Sequence, residues 1–192
     1  DRLLPQVLAA FNRLNPSIEV QVECLSSARL TDAIREGTLD VAITTSQDTM
    51  DLRGEIIRRE PLYWVTSNQH CAHTQDVVRL ALGPVTCGWR RISMDALDRA
   101  GRPYRVSYTS SSAAALVGAV QAGLAVTVFP ESAIRDGMRI LDEKDGFPTL
   151  PYCDIALLRS DTARETMHDT LCNHLVAAIG NVGSGTTQLA AE

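Results

Sequence analysis

The chain has 192 residues, 45% of them hydrophobic and 21% charged, which is enough to bury one large or two small cores in an ordinary globular protein. A net charge of −5 argues against gripping nucleic acid through a basic face, because Lys and Arg neutralising phosphates supply most non-specific affinity. No run approaches the roughly 18 apolar residues of a membrane span, and no basic-then-apolar signal segment follows Asp1.

Leu3, Leu4, Val7, Leu8, Phe11 and Leu14 recur at helical spacing, with Pro5 tolerated in the first turn. Ile18, Val20, Val22 and Cys24 then alternate as a strand does. Ser26 or Ser27 can cap a second helix carrying Leu30, Ala33 and Ile34; Gly37 supplies the left-handed residue that stops it, and Leu39, Val41 and Ile43 follow as a strand. EPLYWVTS, residues 60–67, reads as a further strand. From Val85 the rhythm repeats: VTCGW as strand, Ser93 to Ala100 as helix, Tyr104 to Tyr108 as strand, Ser110 to Ala122 as helix and AVTVF as strand before Pro130. CDIALLRS, residues 153–160, is the last strand and Glu165 to Ile179 the closing helix, after which residues 181–192 are rich in Gly, Ser and Thr and read as a tail. Strands alternating with helices predict right-handed βαβ units and mostly parallel sheets with helices on both faces.

The chemistry follows from where the serine-led helices point. In open αβ sheets a ligand sits outside the carboxyl ends of the strands, where helix N-termini aim free N–H groups into a crevice. Ser26 and Ser27 open one such helix and Thr109, Ser110, Ser111 and Ser112 the other. Hydroxyls donate and accept, so they orient a carboxylate, hydroxyl or carbonyl without burying a charge beforehand. Each of these residues could equally serve only as a helix cap. Arg90 and Arg91, following VTCGW, could reach a ligand anion, but adjacent arginines are usually solvated surface, and that is the role expected of them.

Five cysteines, at 24, 71, 87, 153 and 172, are irregularly spaced and odd in number, which suggests a reducing compartment; Cys24 and Cys172 read as small buried hydrophobes. His70, Cys71 and His73 form a soft-ligand trio in one polar loop, but no fourth ligand stands at metal-site spacing, so no metal is expected. Neither a Gly-rich phosphate loop nor a zinc-protease helix is present, and the four histidines pair with no nucleophile, so no catalytic residues and no cofactor are expected.

The helix, Gly and strand of SSARLTDAIREGTLDVAI closely resemble the first regulatory subdomain of LysR-type transcriptional regulators. The opening LLPQVLAAFNRLNPSIEVQVE and the later QAGLAVTVFPES extend that resemblance over almost the whole chain. It implies an α/β fold of two Rossmann-like lobes joined by two crossover strands, a clamshell of the periplasmic-binding-protein type II kind. Residues 1–62 and 155–180 would form subdomain I, residues 66–150 subdomain II and residues 181–192 a flexible tail. It also implies a cytoplasmic sensor that holds a small-molecule effector, an anion or a hydroxylated compound, in the interlobe cleft. The residues implied to line that cleft are Ser26, Ser27, Thr44, Thr45, Thr109, Ser110 and Ser111, while Tyr63 and Trp64 on the crossover either line it or pack the hinge. Assembly as a homodimer or homotetramer is implied, with Leu3 to Glu23 of one subunit against the small-sided segment Ala113 to Phe129 of another. DNA binding is implied to lie in an N-terminal winged helix-turn-helix absent from this chain. The peroxide-sensing cysteine pair of some family members has no counterpart here. A solute-binding protein of a transport system shares the fold and is the rival reading.

Overall fold

The computed structural model describes residues 3–45, 54–163 and 165–181. Among the described residues there are five α-helices, α1 (Leu3–Leu14), α2 (Ser27–Glu36), α3 (Gly88–Arg99), α4 (Ala113–Gln121) and α5 (Thr166–Ile179), and seven strands. The strands are β1 (Val41–Thr45), β2 (Gly54–Ser67), β3 (Val78–Leu82), β4 (Tyr104–Thr109), β5 (Thr127–Pro130), β6 (Met138–Leu141) and β7 (Tyr152–Arg159). The chain divides into two compact units. One holds the described residues up to Arg59 and from Asp154 onward, and the other holds 60–153, so β2 and β7 each run from one unit into the other. None of the helices among the described residues is long and apolar enough to cross a membrane.

In the first unit β1 pairs antiparallel with β7, from Val41 opposite Arg159 to Thr45 opposite Ile155. Pleating sends successive side chains to opposite faces. Ala42 packs with Ile34 of α2 and with Ala156 and Leu158, while Val41 and Ile43 lie against Val7, Leu157, Cys172 and Leu175. The stripe predicted for α1 is real: Val7 and Phe11 are buried and Leu4 and Leu8 pack beside them, but Leu14, at its end, is 73% exposed. Phe11 meets the edge of His174, whose Nε2 donates to the Val7 carbonyl at 3.0 Å. Gly37 stops α2 as expected, at φ +70°, a conformation that costs glycine no Cβ clash.

Two expectations fail in this unit. Ile18 to Cys24 forms no strand, since no ladder partner lies beside it among the described residues, and Val22 and Cys24 are exposed rather than buried. Asn181, placed at the head of a tail, is clamped to β2. Its backbone N–H donates to the Ile57 carbonyl at 3.0 Å, and its side chain both accepts from the Arg59 N–H and donates to the Arg59 carbonyl, each at 2.8 Å. Residues 182–192 lie outside the described residues.

In the second unit β3 and β4 pair in parallel, and Leu80 bridges Val126 in parallel on the other side. Antiparallel ladders join β2 to β5 and to β6. The β3–β4 pair and the Leu80–Val126 bridge are thus parallel, while β1–β7, β2–β5 and β2–β6 are antiparallel, because β2 and β7 run against those partners. The core gathers Leu62, Trp64, Leu80, Leu82, Leu97, Val126 and Phe147. VTCGW is not a strand; the strand is VRLAL, and Gly83 and Pro84 end it before α3 begins at Gly88. Pro84 lacks the N–H that would extend the ladder, and the apolar run Val78 to Leu82 satisfies the buried-strand pattern better.

Trp64 is only 2% exposed, donates its indole N–H to the Pro148 carbonyl at 2.8 Å and packs on Phe147 with ring centroids 5.3 Å apart. It is a core residue of this unit. Tyr63 packs, half-buried, with Val65, Val120 and Phe129.

Candidate functional site

The α2 end of the first unit brings its predicted residues together. Ser26 takes the cap position with extended backbone angles, yet its side chain makes no capping hydrogen bond, so the first-turn N–H groups of α2 receive no hydroxyl from it. Ser27 is the first helical residue. Its Oγ lies 3.4 Å from Thr45 Oγ1 and accepts from the Thr45 N–H at 3.5 Å, which ties the start of the helix to the carboxyl end of β1. Thr44, on the α2 side of β1 with Ala42, is 3% exposed, and its Oγ1 has no hydrogen-bond partner among the described residues. Burying a hydroxyl without a partner costs about 1–3 kcal/mol, so this end of the unit carries unused polar capacity.

The second cluster lies at the carboxyl ends of β3 and β4. The Ser110 N–H donates to the Leu82 carbonyl at 3.1 Å, which extends the parallel pair by one step beyond Thr109. The predicted helix start at Ser110 moves three residues on, to Ala113, and Ser112 is the cap, its Oγ accepting from the Ala115 N–H at 3.4 Å. Ser110 Oγ is occupied by the Ser112 N–H at 3.1 Å, whereas Ser111 is exposed.

Arg90 departs from the surface role expected of it. It is half-buried in the first turn of α3, and its Nη1 donates to the Gly83 carbonyl at 3.0 Å and to Thr109 Oγ1 at 3.4 Å, while Arg91 is exposed. The neighbouring Tyr104 phenol is held above its ordinary range, first by burial and then by its hydrogen bond to Asp98, with Arg90 pulling the other way. The signal for Arg90 was obscured by the misplaced strand. Once the strand ends at Leu82, the arginine falls in the first helical turn beyond its carboxyl end.

The His70, Cys71 and His73 loop does not converge. His73 is 7% exposed with Nε2 3.2 Å from Arg139, Cys71 is exposed, and His70 lies against Gly123. Burial, then Arg139 and Arg102, lowers the His73 proton affinity, and Asp145 only partly opposes them. Among the described residues no three His, Cys, Asp or Glu side chains are grouped to hold a metal ion.

The described residues form two αβ units, each with hydroxyl side chains gathered at strand and helix ends. The profile of the LysR substrate binding domain matches residues 1–175, and the chain belongs to that family. It is 31% identical over 180 residues to the HTH-type transcriptional regulator PecT of Dickeya dadantii, covering 93% of this chain and 55% of PecT. It is 34% identical over 155 residues to the HTH-type transcriptional regulator DgdR of Burkholderia cepacia, covering 80% of this chain and 52% of DgdR. The chain thus spans about half the length of these relatives. The fold matches the apo regulatory domain of HypT from Salmonella typhimurium with a TM-score of 0.75 at 19% identity, covering 92% of this chain and 90% of that one. These relatives are transcriptional regulators, which favours the regulatory reading over a transport solute-binding protein.

Proposed function

We propose that this chain is the effector-sensing part of a cytoplasmic LysR-type regulator, and that Ser26, Ser27, Thr44 and Thr45 in one unit and Thr109, Ser110 and Ser111 in the other are its effector-binding residues. The observation that carries this reading is the unused polar capacity at the α2 end, where, among the described residues, Thr44 Oγ1 is buried without a partner and the Ser26 side chain makes no capping hydrogen bond. A hydroxyl or an anionic oxygen on a ligand would satisfy both. Such an effector acts by binding two states of the sensor unequally, and a coupling of about 1–3 kcal/mol suffices to move a regulatory equilibrium.

In this reading the regulator works as a homodimer or homotetramer and reaches DNA through the part of such a regulator that lies outside the length matched here. No catalytic step is assigned to any residue.

The test is a thermal-shift screen of the chain against small carboxylates, aromatic acids and quorum-type signals, followed by calorimetry on the compounds that stabilise it. Ser27→Ala and Ser111→Ala should each weaken binding by about 0.5–1.5 kcal/mol, the worth of one hydrogen bond, while Ser107→Ala on the exposed side of β4 should leave it unchanged. Unchanged affinity in both Ser27→Ala and Ser111→Ala would refute the assignment.

A further inference from the structure

We propose that Arg90 is the anion-recognising residue of the second cluster, and that the ligand it takes carries a carboxylate or phosphate group. The proposal rests on the effector reading above and narrows it to a charged compound.

Arg90 differs from other arginines of the described chain in what surrounds it. Arg35, Arg59, Arg139 and Arg159 each sit on a carboxylate, from Asp32, Asp154, Asp145 and Asp169 respectively. Arg102 spends its guanidinium on three backbone carbonyls. Arg90 is half-buried, forms no ion pair among the described residues, and uses only Nη1, toward one carbonyl and one hydroxyl. Its Nε and Nη2 meet no protein acceptor there. Those two atoms form the edge of the fork that matches the two oxygens of a carboxylate or phosphate.

The position fits the same purpose. Gly83 follows the end of β3 and Thr109 closes β4, so the guanidinium stands at the carboxyl ends of two parallel strands, where αβ sheets receive ligands. The strong Nη1 bond to the Gly83 carbonyl fixes the side chain. The 3.4 Å contact to Thr109 Oγ1 is long and readily exchanged, so an arriving anion can take the free edge while Thr109 turns its hydroxyl to the same oxygens. A cation partly withdrawn from water with only neutral partners is under-compensated, and an anion corrects that.

The experiment titrates the isotope-labelled chain with inorganic phosphate and, separately, with malonate at constant ionic strength, following the Arg90 Nε resonance and the amides of residues 109–111 by NMR. At least one anion should produce saturable shifts at both places. Arg90→Gln should weaken that binding about 10- to 100-fold, as expected for loss of charge-assisted hydrogen bonds, and Arg91→Gln should not change it. Arg90→Lys keeps the charge without the fork and should fall several-fold short of the parent; it decides the matter if Arg90→Gln does not fold. Shifts that saturate equally in the Arg90 variants, or no shift with either anion, overturn the proposal. A neutral polyol series in parallel separates the two readings. If a polyol moves the Ser27 and Ser111 amides equally in the parent and in Arg90→Gln while neither anion responds, Arg90 loses its role and the effector site stands. If nothing in either series moves those amides, both readings fall.

Discussion

Replacing Arg102 tests whether one guanidinium pins two loops of the second unit. Its Nη2 donates to the His73 carbonyl at 2.6 Å, its Nη1 donates to the carbonyls of Asp145 and Gly146 at 2.9 Å each, and its Cζ lies 4.3 Å from the centre of the Phe147 ring. Gly146 has φ +77°, which favours glycine, and a Cβ there would displace the Arg102 guanidinium from its carbonyls. Three partly exposed hydrogen bonds at about 1 kcal/mol each, and a cation–π contact of about 0.5–1 kcal/mol, set an upper bound near 4 kcal/mol. Water will re-solvate the freed carbonyls in part, so Arg102→Ala should cost about 3 kcal/mol. In a chain of this size that lowers the melting temperature by roughly 6–12 °C. A single ammonium cannot reach carbonyls on both loops, so Arg102→Lys should recover less than half of the loss. Urea unfolding followed by circular dichroism measures both. A Lys variant within about 0.5 kcal/mol of the parent would show that charge, and not the planar fork, holds the loops, and would refute the reasoning.

His73 should make the stability fall in mild acid. Its folded-state proton affinity is depressed below the ordinary 6.5 by burial, Arg139 and Arg102, so the unfolded chain takes up the proton first; the contribution is complete above about pH 6.5 and is lost as pH drops below it. Urea midpoints between pH 7.5 and 5 should decline in the parent and decline less in His73→Gln. The small-residue face of α4 bears on assembly: Ala114, Gly118 and Ala122 are exposed, Ala119 and Val120 are buried, and a Cβ at Gly118 would meet nothing within 4 Å. Gly118→Leu should therefore leave the subunit folded but push a partner helix away, lowering self-association in sedimentation velocity. Unchanged association would remove α4 from the proposed interface.

What the sequence revealed depended on whether a local signal was also the deciding one. The turn at Gly37 and the strand after it were legible because a left-handed glycine, an apolar helix stripe and a β-rich run all agree over 27–45. VTCGW misled because Val, Thr, Cys and Trp favour strands, while Gly83 and Pro84 had already ended the ladder and its apolar partners were Val78, Leu80 and Leu82. Ile18 to Cys24 has the correct alternation, but a strand is defined by its neighbour, and alternation carries no information about whether one is present. Asn181 shows the reverse: a residue of loop-like composition is fixed by three hydrogen bonds to residues more than 120 positions away in the chain.

The candidate site divides along the same line. Which hydroxyls sit at helix starts was readable, since capping preferences are local. How each hydroxyl is used was not. Ser112 caps α4, Ser110 closes the turn before it, Ser27 reaches Thr45 and Ser26 caps nothing. Four chemically equivalent serines thus receive four assignments from backbone placement alone. The ones left with spare hydrogen-bonding capacity are the ones a ligand can use, because a hydroxyl already committed to the helix must give up one bond to form another. Thr44 and Arg90 extend the argument to groups that sequence patterning treats as core and surface. Among the described residues one is buried without a partner and the other is half-buried with two unused donor atoms, and both stand at strand carboxyl ends. Residual capacity also remains there at Thr66, His73, Trp89 and Arg135, so it is the position beside the hydroxyl clusters at strand carboxyl ends, together with that capacity, that singles out Thr44 and Arg90.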